Sequence, residues 1–416
     1  MRLLMLAHRI PYPPHTGDKV RAYQVARHLA ARHELTLGFV IDDAADRAGL
    51  DALRRDVPDL EWGGLWKPGA VARGLGALAA GGSLSVAYFH SRRLARRVTG
   101  RLSDGGYDAV YASSSPMVAY VRRAGLPVVM DFVDVDSDKW TQYATAQRPP
   151  RSWAYRLEGR RLRRFEAEAV RWGHRCILAT AAEETLLRSF APWARTAVIP
   201  NGVELDGPET IAEGPADAPT MIFTGAMDYL PNVDAVEHFC ADVFPAVAAV
   251  VPGARFLIVG LNPAPAVRRL GERPGVTVTG AVPDVRPYYR QSAVCVAPLR
   301  IARGIQNKVL QSMALGVPVV ATGAAARGLE ARPEEHFLVE DDPRRFAQAV
   351  IGLLRDRGAR RRLAERARGF VERHHAWPAI LARIEALVVD AAGRRPTESP
   401  ALPAVGPRPG LEAPRP

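Results

Sequence analysis

One pattern, stated twice, restricts this chain more than any other feature. Short apolar runs alternate with longer stretches of helical periodicity. The first series of runs falls at residues 2–8, 35–41, 108–114, 127–133 and 175–180. The second falls at 220–224, 254–259, 276–279, 293–298 and 318–321. Strands that are apolar throughout are buried on both faces, and helices between them supply the covering layers. Helical stretches occupy 19–33, 233–251, 264–272, 285–292 and 305–315. The first of these offers Val20, Tyr23, Val25, Ala26 and Leu29 as a buried face. Two successive open α/β units follow, and 416 residues are too many for one ordinary core. Asn201–Gly202 is a turn signal, and 206–219, rich in Gly, Pro and acidic residues, reads as the linker. Residues 342–391 form a helical region broken near Trp377–Pro378, and the proline-rich end from 397 lacks core formers and is expected to be disordered.

Composition removes several classes of function. Cys176, Cys240 and Cys295 lie far apart, which excludes a disulfide scaffold and any closely spaced pair for zinc, and suits a reducing cytosolic compartment. No run approaches the ~18 apolar residues of a membrane span. The N-terminal apolar run ends at His8 and Arg9, too soon for a signal peptide, so Met1 leads into a buried strand. Lys and Arg total 56 against 44 Asp and Glu, a net charge of +12. Two readings fit that excess: arginines on solvated helix faces, or attraction to anionic lipid, a nucleotide diphosphate or nucleic acid. No zinc-finger, RNP-type or basic-zipper pattern accompanies it, so no nucleic-acid partner is expected. Residues 64–102 mix Leu65, Trp66, Leu75, Leu78, Leu84, Val86, Tyr88 and Phe89 with Lys67, Arg73, Arg92, Arg93, Arg96 and Arg97. This segment reads as a basic amphipathic surface for an anionic membrane, as a pair of helices packed on the first unit, or as both.

Open α/β sheets bind ligands beyond the carboxyl ends of their strands, and two such units face each other across a cleft. Three loops there carry chemistry. Residues 9–21 follow the first strand. Gly17 allows close backbone approach, a helix beginning near Asp18 offers free N–H groups to an anion, and Lys19 and Arg21 add charge. The plainer reading is a strand-to-helix turn capped by Asp18. Residues 131–140 gather Asp131, Asp134, Asp136 and Asp138, which could hold a metal, act as a base or orient a sugar hydroxyl; EF-hand spacing is absent. Asp136 or Ser137 could instead cap the next helix. Residues 301–313 place Arg303, Gly304, Asn307, Lys308 and Gln311 where a strand ends and a helix begins, a setting for a diphosphate. No dinucleotide fingerprint, P-loop or G-x-S-x-G competes, and the scattered histidines suggest structural roles.

The segments PNGV (200–203), FTGAMDYLPN (223–232), GAVPDVRPYY (280–289) and VAPLRIARGIQNKVLQSMALGVPVVAT (296–322) resemble the family-4, group 1 nucleotide-sugar glycosyltransferases of GT-B fold. PYPPHTGDKVRAY, DFVDVDSDKW and RGIQNKVL are similar to the subgroup associated with exosortase (PEP-CTERM) systems and exopolysaccharide synthesis. The resemblance implies two Rossmann-like domains, at 1–205 on the acceptor side and 206–375 on the nucleotide-sugar side. It also implies a helix at 376–392 crossing back to the first domain and a disordered tail at 393–416. Retention of anomeric configuration without a metal or other cofactor is implied too. The partners would be a nucleotide sugar, a saccharide or polyprenyl-linked acceptor and the inner-membrane surface, in a cytoplasmic, membrane-peripheral protein.

Carried over by position, Arg303 and Lys308 contact the diphosphate, with Gly304 and Asn307 beside them. Gly17 and Gly225 line the cleft, and Asp134 faces the acceptor with Asp131, Asp136, Lys19 and Arg21 on that side. Many family members have two glutamates flanking seven residues where this chain has Arg303 and Gln311. Gln311 can still hydrogen-bond ribose hydroxyls. Arg303 has no acceptor atom and would compensate leaving-group charge instead. The family's usual Arg and Lys early in the second domain are absent from 226–232. These departures keep open a non-catalytic scaffold with the same cleft, and the shared two-domain architecture keeps open a sugar-nucleotide epimerase.

Overall fold

The computed structural model describes residues 1–122, 124–145, 147–205, 219–302 and 304–393. All of the expected linker at 206–219 except Pro219, the tail beyond 393 and Arg303 lie outside the described residues. Seven parallel strands form the first sheet: β1 (Arg2–Ala7), β2 (Glu34–Ile41), β3 (Asp59–Gly64), β4 (Ala109–Ser113), β5 (Val128–Val133), β6 (Arg175–Leu178) and β7 (Thr196–Val198). Their order is β3-β2-β1-β4-β5-β6-β7. The second sheet has β8 (Thr220–Thr224), β9 (Arg255–Val259), β10 (Val276–Gly280), β11 (Val294–Ala297), β12 (Val319–Ala321) and β13 (Leu338–Val339), ordered β10-β9-β8-β11-β12-β13. The strand order reverses next to β1 in one sheet and next to β8 in the other. Those reversals open the crevices in which a doubly wound sheet holds its ligand.

Central strands are largely apolar: Leu3–Ala7 and Leu35–Ile41 are entirely buried, with Thr36 of β2 and Asp131 of β5 as buried polar exceptions. Three strands escape the sequence pattern. β3 is a half-exposed edge strand containing Asp59, Glu61, Gly63 and Gly64, and β7 and β13 are only three and two residues long. Residues 64–102 give three helices rather than a pair: Lys67–Ala79, Leu84–Tyr88 and Arg92–Ser103. The helix expected at 233–251 is divided into Leu230–His238, a π-turn at Phe239–Val243, and Phe244–Val250. Pro245 accounts for the division, because its ring cannot sit over an undisturbed α-helical carbonyl ladder.

The last helix, Trp377–Gly393, crosses back to the first sheet. Its Trp377, Ile380, Leu381, Ile384 and Val388 bury against a core that includes Leu3, Met5, Leu29 and Tyr111. Glu385 fastens it from the polar side, 2.7 Å from His28 Nε2 and 3.0 Å from His33 Nε2. Both passages between the sheets run side by side. Val203 donates its N–H to the His375 carbonyl at 2.8 Å. An ideal Cβ on Gly202 would lie 2.4 Å from the Trp377 indole, so only glycine fits this crossing.

Candidate active site between the two sheets

The first-sheet wall of the cleft is shaped at the end of β5. Val133 has φ +65°, a strained value for a β-branched residue, and the β5–β6 register slips between Asp131 and Val133. The kink separates two neighbouring carboxylates. Asp131 is fully buried, taking 2.7 and 3.2 Å hydrogen bonds from Arg21 and another from the Tyr111 hydroxyl. Asp134 emerges into the cleft against Gly304. The helix that follows, Asp136–Thr145, is held at its N-terminus by carboxylates that sequence reasoning did not select. Glu183 accepts from the Val135 N–H at 2.7 Å, and Glu166 accepts from the Ser137 N–H at 3.1 Å. Glu158 likewise accepts from the Leu84 and Ser85 N–H groups at 2.6 and 2.9 Å. Each buried glutamate satisfies helix-end donors that would otherwise be costly. Their signal in the sequence is faint: Glu158 and Glu166 fall on the buried face of an otherwise Arg-rich helix.

Across the cleft, Lys308 is 9% exposed. Its Nζ donates to Asn232 Oδ1 at 2.6 Å and stands 4.0 Å from the centre of the Phe223 ring. Asn232 is itself oriented by donating to the Ala226 carbonyl at 2.9 Å. Burial lowers the Lys308 pKa to about 7. The helix Asn307–Ala314 begins here, with Gln306 at its N-cap and no side-chain capping bond. Opposite stands the start of the helix Gly17–Ala30, also without a side-chain capping bond. An ideal Cβ on Gly17 would lie 2.4 Å from Asn307 Nδ2. Two helix N-termini, one from each sheet, therefore meet at one point. Their N–H groups and dipoles both favour an anion there.

The sequence-selected residues divide clearly. Gly17, Asp134, Gly304, Asn307 and Lys308 come together at the cleft. Asp136 lines an adjoining cavity of about 140 Å3, shared with Asp134, Tyr143, Tyr229, Asn232 and Gln306. Arg21 and Asp131 do not face it; they form a buried strut beneath the cleft, in which Arg21 also donates to the Ile199 and Pro200 carbonyls and to Asn201. Asn201 then donates to Asn307 Oδ1 at 3.1 Å, joining strut to second domain. Lys19 pairs with Asp46 at 2.8 Å. Asp18 lies in the first helical turn rather than at the cap. Burial pushes its carboxyl up, but His8 at 3.1 Å, Thr16 and Arg9 outweigh this and hold it well below the usual carboxylate range. Gly225 packs on Asn232, and Gln311 is half-buried one turn beyond Lys308. No group of three or more His, Cys, Asp or Glu side chains placed to hold a metal ion occurs among the described residues.

Two family models match the chain in succession: a glycosyl transferase 4-like domain over residues 16–202, and a glycosyl transferases group 1 domain over 218–356. The chain belongs to the group 1 glycosyltransferases. Similar solved structures show the same GT-B fold. Sucrose-phosphate synthase from Thermosynechococcus elongatus is 17% identical, with a TM-score of 0.70 over 94% of this chain and 98% of that one. Anabaena HepE in complex with UDP-glucose is 16% identical, with a TM-score of 0.66 over 94% of this chain and 100% of that one. A glycosyltransferase from Rickettsia africae is 12% identical, with a TM-score of 0.63 over 94% and 98%. No curated protein matches by sequence.

In this glycosyltransferase the domains approach closely at Gly304. It has φ +54°, and an ideal Cβ would lie 2.3–2.8 Å from the Asp134 carboxylate. Gly304→Ala adds backbone strain of about 1–2 kcal/mol and obstructs that contact, so the closed population should fall by about tenfold. Turnover is expected to drop by the same factor, and the added strain should lower the melting temperature by a few degrees. Unaltered turnover would show that this contact does not govern closure.

Proposed function

We propose that this glycosyltransferase moves a sugar, with retention of anomeric configuration, from a nucleotide-diphosphate donor to a saccharide or lipid-linked saccharide acceptor. The meeting of two helix N-termini beside Lys308 carries the reading. Departure of a nucleotide diphosphate leaves negative charge on the phosphate oxygens, and preorganised N–H groups with a nearby ammonium stabilise that charge as it develops. Asn232 holds Lys308 in place, and Asn307 and Gly17 let backbone from both domains reach the same phosphates. Gln311, a turn further on, is placed for the ribose hydroxyls. Arg303 is assigned to leaving-group charge. Asp134 and Asp136 line the adjoining cavity, which takes the acceptor sugar, and Asp134 orients its attacking hydroxyl. The domains are proposed to divide these tasks, 1–205 serving the acceptor and 206–375 the donor.

Among described residues no helix is long and apolar enough to cross a membrane. The reading places the enzyme in the cytoplasm, peripheral to the inner membrane, where a lipid-linked acceptor would be found. The N-terminal and central motifs support a role in exopolysaccharide assembly of the exosortase-associated type. The Anabaena HepE complex makes UDP-glucose the first donor to test. Calorimetry with UDP, GDP, ADP and TDP should give selective binding of one nucleotide, and its sugar conjugate should be consumed only when an acceptor is present. Binding without consumption would favour the scaffold, acceptor-independent conversion the epimerase. Binding of none of the four would overturn the donor site.

A further inference from the structure

From Trp62 to Ser103 the chain carries no acidic residue and seven Lys or Arg residues. Helix Lys67–Ala79 buries the small side of itself, Ala70, Gly74 and Leu78, and leaves Val71, Ala72, Leu75 and Ala79 outward. Trp66, just before it, is 74% exposed, and Leu75 is 56% exposed. An apolar face turned to solvent next to a tryptophan is the reverse of an ordinary surface helix.

A second helix repeats the arrangement. On Arg151–Trp172, the buried positions Gly159, Leu162, Glu166 and Ala169 lie opposite a stripe formed by Trp153, Arg156, Leu157, Arg160 and Arg164. That spacing is three, four, seven and eleven residues from Trp153, one helical face. Trp153 is 64% exposed. The two helices touch. Just beyond the first helix, Glu158 accepts hydrogen bonds from Ser83, Leu84 and Ser85 at the start of the short helix Leu84–Tyr88, and Arg161 lies against Gly81.

We infer that these two helices form a docking face for an anionic lipid bilayer, with Trp66, Leu75, Trp153 and Leu157 entering the headgroup region and Arg156, Arg160 and Arg164 meeting lipid phosphates. Charge selects the occupant: the stripe is cationic, while tryptophan and leucine beside it suit the boundary between headgroup and acyl chain. Position joins the face to the cleft. Trp140 donates to Ser85 Oγ at 3.2 Å and packs on Tyr155 with ring centres 5.4 Å apart. Tyr155 packs on Tyr143, which lines the cavity beside Asp134. An acceptor whose lipid stays in the bilayer could thus present its sugar to the cleft along this aromatic edge. The inference deepens the transferase reading and rests on it for the identity of the acceptor.

The test is co-sedimentation of the full chain with phosphatidylcholine vesicles, with and without about 30% phosphatidylglycerol, a content that supplies the negative surface potential. The wild type is expected to sediment with the anionic vesicles only and to be released as salt shortens the screening length. Each basic residue near such a surface strengthens partition about fivefold, so the triple variant R156Q/R160Q/R164Q should lose on the order of a hundredfold. A second variant, W66S/L75S/W153S, should lose binding to anionic vesicles at low salt as well. Both should bind UDP as the wild type does, since none of these residues lines the cleft.

The proposal fails if the wild type stays in the supernatant with anionic vesicles, or if the arginine variant partitions unchanged. It also fails if W66S/L75S/W153S leaves partition intact while converting a dimer to a monomer in light scattering, which would make the face an interface between copies. Vesicle binding without nucleotide binding would support the face and overturn the transferase reading, so the two fail separately.

Discussion

Lys308→Ala is expected to abolish most transfer, lowering turnover on the order of 10²–10³-fold, the usual effect of removing one preorganised donor to developing charge. The loss should be accompanied by weaker binding of the nucleotide diphosphate and little change in fold, because Asn232 keeps its bond to the Ala226 carbonyl. The pH dependence separates this role from simple packing. Burial leaves Lys308 with a pKa of about 7 in the free protein. A diphosphate beside it favours the ammonium and raises that value. Below pH 7 the lysine is already charged and affinity is constant. Above pH 7 each binding event must take up a proton, so affinity should fall about tenfold per pH unit until the bound-state pKa is passed. Calorimetry of wild type and K308A between pH 6 and 9 checks this. A wild-type affinity that is flat across that interval would remove Lys308 from the diphosphate site.

Asp131→Ala should be the most destabilising single change considered. Arg21 is 2% exposed, and Asp131 is its counter-ion. Burial alone would lower the Arg21 pKa, but Asp131 and Tyr111 reverse this and keep the guanidinium firmly charged. Burial, reinforced by Asp131, pushes the Tyr111 hydroxyl well up, so Tyr111 remains a donor. Removing the carboxylate strands a buried charge and should cost about 3–5 kcal/mol. Thermal denaturation should register a fall on the order of 10 °C. The double variant R21M/D131L removes both charges together and should recover much of the loss. A D131A protein as stable as the wild type would mean that the strut contributes nothing to folding.

The same pair illustrates what a sequence can and cannot express. Position within the family resemblance puts Asp131 and Arg21 on the acceptor side, one from the carboxylate cluster after β5 and the other from the basic helix start after β1. They are 110 residues apart, and nothing local announces that helix Gly17–Ala30 crosses the end of β5 closely enough to join them. Asp134, three residues later in the same cluster, lies instead at the cleft against Gly304. The difference between the two carboxylates is the positive φ at Val133, which no propensity for valine would suggest. Asn201 and Asn232 carry no motif of their own. They acquire roles because Asn201 bridges the strut to Asn307 and Asn232 holds Lys308.

The double α/β architecture is legible in the linear pattern alone. Strands buried on both faces must be apolar along their whole length, and that demand is written locally in runs such as LLMLA and LGFVI. The same pattern also shows where a ligand could bind, because glycines and polar residues gather where those runs end. Long-range packing sets the short edge strands, the capping of helices Leu84–Tyr88 and Asp136–Thr145 by Glu158, Glu166 and Glu183, and the head-to-head approach of two helix N-termini. These depend on groups distant in the chain being brought within hydrogen-bond reach. Burial leaves a polar group only the partner the fold delivers, and a linear pattern does not record which partner that is.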